Sequence, residues 1–317
     1  MGLIDNLKKN DMKFSFVMPS YKVRYMKPAI DSILRQSYED FELVIINDAS
    51  PEDMDGLVDL YHDSRIVYLK NEKNIGGFDL VKNWNRCIQY AKGDYLILAS
   101  DDDIYGGDFL LEINNLINQY GSVDLFRARV ERIDSDGFVT DKDFIYPRYM
   151  SQVDFIRFWS KGFINCISNY VFRREVLIGK GGFINFPFAW FSDDASVIRL
   201  SEKGVVSSDD ILFQFRTSGI NISSRKDVHV LKGKMKATEM FYHWISNYIM
   251  ESGFEKREKE ILSFRVRKYI VGILMPTMSG LGLSHIWYAF CYLRHNNYLY
   301  KKEKLYIMLT LIINLRH

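Results

Sequence analysis

Four short apolar runs recur through the first hundred residues, and segments with helical spacing separate them. Phe14-Ser15-Phe16-Val17-Met18 stops at Pro19-Ser20, and Glu42-Leu43-Val44-Ile45-Ile46 ends in Asn47-Asp48-Ala49-Ser50. Ile66-Val67-Tyr68-Leu69 follows, and then Tyr95-Leu96-Ile97-Leu98-Ala99 runs into Ser100-Asp101-Asp102-Asp103. Between the runs, Pro28 opens a segment with Ile30, Ile33 and Leu34 at helical spacing. A second helix is expected over about 52–62. A third carries Leu80, Trp84, Cys87, Ile88 and Ala91 on one face, with Gly93 where a C-terminal cap belongs. Strands separated by helical crossovers predict an α/β fold with a mostly parallel, doubly wound sheet. Such sheets bind ligands beyond the carboxyl ends of their strands, where Pro19-Ser20-Tyr21, Asp48 and residues 101–103 all fall.

The three consecutive carboxylates are the strongest chemical signal. Adjacent anions repel one another and gain little as a folding device, whereas a divalent cation with oxygen ligands would hold them together. A helix cap or a solvated acidic turn is the alternative use of the same residues.

Val17-Met18-Pro19-Ser20-Tyr21, Ser32-Ile33-Leu34-Arg35-Gln36-Ser37-Tyr38 and Phe41-Glu42-Leu43-Val44-Ile45-Ile46-Asn47-Asp48-Ala49-Ser50 resemble the opening of the family 2 glycosyltransferases. Asn74-Ile75-Gly76-Gly77, Ala91-Lys92-Gly93-Asp94-Tyr95 and Ser100-Asp101-Asp102-Asp103 continue the resemblance in the family's order, over roughly residues 12–225. It implies a GT-A fold, a Rossmann-like sheet flanked by helices, and transfer of a sugar from a nucleotide-diphosphate donor, a UDP-sugar first of all. A Mg²⁺ or Mn²⁺ ion would bridge carboxylate and phosphate oxygens and neutralise the leaving group. Many members carry Asp-x-Asp-Asp, and here Ser100 replaces the first acidic residue. The resemblance then puts Asp102 on the metal, with Asp103 as a second metal candidate and Asp101 as a donor-binding one. Which flanking aspartate ligates, which contacts ribose and which caps a turn stays open. Asp48 matches the aspartate that reads the nucleobase; an Asx-turn before Pro51 is its other reading. Pro19, Tyr21 and Asn74 would line the nucleotide pocket. Lys82 matches a basic position near the nucleotide, or lies on a solvated helix face.

Further on, Ser192-Asp193-Asp194-Ala195-Ser196-Val197-Ile198-Arg199-Leu200 has two aspartates at the start of a helical pattern that ends near Gly204. Plain capping would account for them. In the family an acidic pair precedes a similar helix, and counting back from Arg199 puts Asp193 on the catalytic base, with Asp194 beside it as the second catalytic candidate. Phe215-Arg216-Thr217-Ser218-Gly219-Ile220-Asn221-Ile222-Ser223 resembles the family's arginine segment. Arg216 would face the donor diphosphate or form a structural ion pair. His229 is a candidate late metal ligand.

Net charge narrows the partners. At +2 over 317 residues the chain is not basic enough for a nucleic-acid binder, and Cys87, Cys166 and Cys291 are too few and scattered for a zinc site or a disulfide framework. Residues 1–12 are polar and charged, so a cytoplasmic protein without a signal peptide is expected. Residues 269–293 carry no Lys, Arg, Asp or Glu, and 305–315 are again apolar, with Arg265, Arg267, Lys268, Arg294, Lys301, Lys302, Lys304 and Arg316 around them. Pro276, Gly272, Gly280, Gly282, Ser279, Ser284 and His285 dilute the first stretch, which favours helices packed on the domain or lying on the inner face of a membrane over a spanning helix.

The expected organisation is a GT-A domain over 12–225 and a C-terminal helical region over 226–317. Its partners would be a nucleotide sugar, a glycan or lipid-linked acceptor and a membrane surface, in surface polysaccharide synthesis. A nucleotidyltransferase or phosphotransferase with an acidic pocket and an inactive membrane-associated scaffold are the rival readings. The first lacks a glycine-rich phosphate loop, and the second leaves Asp48, Asp102 and Asp193 without a common purpose.

Overall fold

The computed structural model describes residues 13–219, 224–281 and 285–314; the expectations for 1–12, Ile220, Asn221, Ile222, Ser223, Gly282, Ser284, Leu315 and Arg316 lie outside the described residues. Its strands are β1 (Phe14–Ser20), β2 (Phe41–Asn47), β3 (Ile66–Lys70), β4 (Tyr95–Leu98), β5 (Ile104–Tyr105), β6 (Leu125–Ile133), β7 (Val139–Lys142), β8 (Tyr149–Met150), β9 (Tyr170–Arg173) and β10 (Val205–Arg216). They form one sheet in the order β3-β2-β1-β4-β9-β6-β10-β5, with β7 on β6 and β8 on β10. The first four strands are parallel, as their helical crossovers require, and β9 inserts antiparallel between β4 and β6.

The helices are α1 (Met26–Leu34), α2 (Met54–Val58), α3 (Leu80–Cys87), α4 (Phe109–Gln119), α5 (Gln152–Trp159), α6 (Arg174–Gly179), α7 (Ser192–Leu200), α8 (Val228–Glu251), α9 (Lys256–Ser279), α10 (Ile286–His295) and α11 (Lys301–Asn314). One apolar layer packs α1 and α4 on one face of the sheet through Ile30, Ile33, Phe109 and Ile113. The other layer takes α3, α5, α7, α8 and α9 through Val81, Trp159, Val197, Phe241 and Ile270. The helices after residue 226 therefore share the core of the sheet domain. Phe241 of α8 stacks on Phe191 at 4.4 Å and 5° between planes, and meets Trp159 edge-on at 5.6 Å.

Register aligns the strand ends. Val17 lies opposite Val44 on one side and Leu98 on the other, so Ser20, Asn47 and Asp101, three residues further along each strand path, reach the same edge.

Three local expectations change. The helix of about 52–62 is only Met54–Val58, because Gly56 weakens its middle and the chain must turn back toward β3. Helix α1 starts at Met26, so Pro28 falls inside its first turn, where an N–H has no intrahelical acceptor. Gly93 is not a cap: α3 ends at Cys87, a 3₁₀ turn spans Ile88–Tyr90, and Ala91 is extended. A Cβ on Gly93 would lie 2.6 Å from the Phe14 carbonyl carbon and 2.8 Å from the Ser15 nitrogen, so the glycine permits a close backbone crossing under β1.

Candidate active site

Beyond the carboxyl ends of β1, β2 and β4 lies a cavity of about 810 Å³. Its lining brings together Pro19, Tyr21, Asp48, Asn74 and residues 101–103 from the strand ends with Asp193, Asp194, Trp190, Phe191, Tyr269 and Ile273 from α7, the turn before it and α9.

Asp48 sits just after β2 and is 3% exposed. Its carboxylate accepts the N–H groups of Ile75 (2.9 Å) and Gly76 (2.7 Å) and the Asn71 amide (2.7 Å), so it holds the loop after β3 against the cavity. Asn74 closes that loop as an Asx-turn, its Oδ1 accepting the Gly77 N–H at 2.6 Å. The Asx-turn considered for Asp48 belongs to Asn47, whose Oδ1 accepts the Ser50 N–H at 2.8 Å.

The acidic turn after β4 divides its tasks. Asp101 accepts the Tyr21 and Lys22 N–H groups, and the almost fully buried Asp103 accepts the Arg216 N–H at 2.9 Å. Asp102 takes the Ser100 hydroxyl. Burial, and then the Asp102 charge, push Asp101 up to about 6 and Asp103 well above the usual carboxylate range; burial also raises Asp102. Crowded, desolvated carboxylates at a cavity wall suit a divalent cation. Among the described residues no three His, Cys, Asp or Glu side chains surround one point. The residues present fit a Mg²⁺ or Mn²⁺ ion at an open site, for which Asp102 would supply a carboxylate.

The acidic pair lies inside the first turn of α7 and not at its N-cap. The residue before α7 is Phe191, in a left-handed conformation and without a side-chain cap. Phe188, Ala189 and Phe191 all have positive φ, so the chain enters α7 through a strained turn. Phe188 is accommodated at Gly233 of α8, where a Cβ would lie 2.0 Å from the Phe188 ring. Asp194 accepts the Trp159 indole N–H and the Asn165 amide, both at 2.6 Å. Asp193 accepts the Asp194 N–H at 2.9 Å and lines the cavity. Burial and the adjacent Asp194 charge raise Asp193 well above its ordinary range.

Three expected residues stand elsewhere. Lys82 is exposed on α3 and does not line the cavity, because Asp79 starts the helix by accepting its N–H at 2.9 Å and the side chain leaves on the solvent side. Arg216 is 6% exposed behind the acidic turn. Its guanidinium donates to the carbonyls of Asp102 (2.9 Å) and Asp134 (3.1 Å) and lies over the Tyr25 ring at 4.7 Å. It positions the turn and is not part of the cavity lining. His229 packs edge-on against Phe188 on the exposed side of α8 and is not part of the cavity lining. Sequence reasoning missed Trp159, Asn165 and Tyr269. Only Asn165 carried a signal, a polar residue inside the apolar run Phe163-Ile164-Asn165-Cys166-Ile167.

The sequence pattern of the family described as Glycosyl transferase family 2 matches residues 15–179. Glycosyltransferase GlyG of Streptococcus pneumoniae serotype 4 is 25% identical over 249 residues, 74% of this chain and 80% of GlyG. The Escherichia coli UDP-Glc:alpha-D-GlcNAc-diphosphoundecaprenol beta-1,3-glucosyltransferase WfgD is 25% identical over 222 residues, 68% of this chain and 82% of WfgD. A glycosyltransferase of Rickettsia felis is 33% identical over 126 residues, 39% of this chain but 20% of the relative's own length. The crystal structure of S. aureus TarS 1–349 superposes with a TM-score of 0.70 at 14% identity, covering 96% of this chain and 89% of the TarS chain, which shows the shared GT-A fold.

Proposed function

Because the chain belongs to glycosyl transferase family 2, we propose that it moves a sugar from a nucleotide-diphosphate donor to a hydroxyl group of a glycan or lipid-linked acceptor, with inversion at the anomeric carbon. The observation that carries this reading is the convergence on one cavity of Asp48 and Asp102 from the strand ends and Asp193 from the start of α7. In-line displacement needs donor-binding groups on one side of the reacting carbon and a proton acceptor on the other, and these residues would supply both.

Each residue has a task. Asp48 and Asn74 shape the base pocket, Pro19 and Tyr21 flank it, and Asp101 ties the β1 loop to the acidic turn. Asp102 would hold a Mg²⁺ or Mn²⁺ ion, with Asp103 behind it; when bound, the ion neutralises charge on the diphosphate leaving group. Asp193 takes the acceptor proton as the new bond forms, and its raised proton affinity suits a base. The aromatic wall of Trp190, Phe191 and Tyr269 keeps water from the reacting centre.

WfgD carries UDP-Glc and a diphosphoundecaprenol acceptor in its name, and TarS 1–349 has been solved with UDP-GlcNAc. A UDP-sugar donor and a lipid-linked acceptor in surface polysaccharide synthesis follow as the proposed substrate classes. Residues 12–225 would bind the donor, and 226–317 would complete the acceptor side and face the inner membrane surface. Among the described residues no helix is long and apolar enough to cross a membrane. Instead Lys302, Leu305, Tyr306 and Leu309 are exposed at helical spacing on α11, with Lys301 beside them. An apolar stripe with basic neighbours suits anionic headgroups.

A thermal-shift panel of nucleoside diphosphates with and without Mn²⁺ tests the reading. The expected result is stabilisation by one nucleotide, UDP first, that Mn²⁺ enhances. No nucleotide shifting the transition under either condition would overturn it.

A further inference from the structure

We propose that Trp159, Asn165 and Tyr170 are positioning residues that hold Asp194 as a standing anion, so that Asp193 carries the exchangeable proton of the pair. The inference rests on the reading of Asp193 as the base and assigns the division of labour within that site.

The geometry is a one-sided clamp. The indole N–H of Trp159 can only donate, and it reaches Asp194 Oδ1 at 2.6 Å. The Asn165 amide reaches the same oxygen at 2.6 Å, and its orientation is set from behind, because the Tyr170 hydroxyl donates to Asn165 Oδ1 at 2.6 Å. Arg127, fully buried and paired with Asp143, donates to the Ile164 carbonyl at 2.8 Å and so fixes the chain just before Asn165. Burial raises Asp194 above its ordinary range, and the two short donors on one oxygen work against that burial in favour of its charged form. Both residues line the cavity, but the bond recorded for the Asp193 carboxyl is from a backbone group, the Asp194 N–H at 2.9 Å to Oδ1. Two neighbouring carboxylates do not ionise independently, so the proton retained by the pair settles on the member without the clamp.

The phenols and the thiol around the pair keep their protons while it titrates. Tyr269 faces it from α9, Tyr170 from β9 and Cys166 from the segment between α5 and β9, and burial raises all three, so they stay neutral through the physiological range. Outside the pair, the Arg132 charge on β6 reaches Tyr269, the Arg127 charge reaches Tyr170 and Cys166, and the Asp103 charge reaches Cys166. Trp159 packs on Tyr269 at 4.6 Å between ring centroids, which keeps the indole from swinging off its acceptor.

The test is a pH titration of the full chain labelled with ¹³C in its aspartate carboxyls and followed by NMR, with Asp193→Asn and Asp194→Asn assigning the two resonances. The Asp193 resonance is expected to carry the higher-pH step, while Asp194 moves little across it. Removing a donor frees Asp194 to accept the shared proton and disfavours the doubly ionised state. Trp159→Phe and Asn165→Ala should therefore raise the higher step, by roughly half a pH unit or more, and Asp194→Asn should lower it. Tyr170→Phe, which keeps the ring in the core, should move the step in the same direction by less. The proposal is overturned if Asp194 carries the higher step, or if the step stays in place in both Trp159→Phe and Tyr170→Phe. No donor or acceptor enters the experiment, so failure here leaves the transferase reading standing, and failure of nucleotide binding leaves this assignment standing.

Discussion

Asp101 Oδ2 accepts the backbone N–H groups of both Tyr21, at 3.0 Å, and Lys22, at 3.1 Å, so one carboxylate staples the turn after β4 to the loop after β1. The two loops that would embrace a nucleotide are therefore tied together at one carboxylate. The staple is costly to ionise, because burial and the neighbouring Asp102 push Asp101 up to about 6. An acid whose folded pKa lies above its unfolded value binds more protons when folded, so its contribution to stability falls as pH rises through that window. Asp101→Asn keeps an acceptor and loses the charge. Measured without divalent metal, its melting temperature relative to the natural chain should rise between pH 4 and pH 7; a difference that is flat or falling would contradict this account.

Asp102→Asn should uncouple nucleotide binding from metal. Diphosphate and carboxylates repel without a cation between them, so the natural chain should bind UDP far better with Mn²⁺ than with chelator. In the variant the Mn²⁺ enhancement should fall by roughly 10²-fold or vanish, the scale of losing a metal contact and its oriented surroundings. Isothermal titration with UDP and Mn²⁺ decides it, and an undiminished enhancement removes the metal hypothesis.

Asp193→Asn should leave UDP affinity within about twofold while lowering sugar transfer by roughly 10²-fold or more, the signature of a lost base and not of lost binding. Steady-state rates alongside the binding isotherm separate the two effects. Full activity in this variant would place the base elsewhere.

The stripe on α11 should hold the protein on an anionic bilayer. Truncation near residue 260 is a poor test, since it removes Leu262, Val266, Ile270 and Leu274 from the core and Tyr269 from the cavity. Leu305→Asp combined with Leu309→Asp alters exposed positions only. The natural chain should sediment with phosphatidylserine vesicles and the double variant should stay in the supernatant. Equal sedimentation would mean that another surface, or none, meets the membrane.

Gly93→Ala should destabilise the fold by about 1–3 kcal/mol, the range for forcing extra volume into a packed core. The obstructing atoms at 2.6 Å and 2.8 Å are backbone and cannot rotate away. Urea unfolding of the variant measures the cost, and a neutral substitution would show that β1 can shift.

The order of strands and crossovers, and the gathering of Pro19, Tyr21, Asp48 and residues 101–103 at one edge, were legible in the sequence. Strand period, helix period and the chirality of crossovers are local or nearly local, and together they leave few topologies. The acidic pair at Asp193 and Asp194 was legible too, as an acidic motif. What each member does was not, because Trp159 and Asn165 approach Asp194 from a helix and a loop 35 and 29 residues away in sequence. The inward turn of Tyr269 and the retreat of Lys82 and Arg216 from the cavity were equally hidden. An uncharged aromatic helix face reads the same whether it meets a core or a membrane, and an arginine after a strand reads the same whether it meets a phosphate or a carbonyl. The sequence by itself determined which residue types reach the strand ends. The tertiary structure decided which of them face the cavity and which carry a clamp, because those outcomes depend on packing between segments that no local pattern encodes.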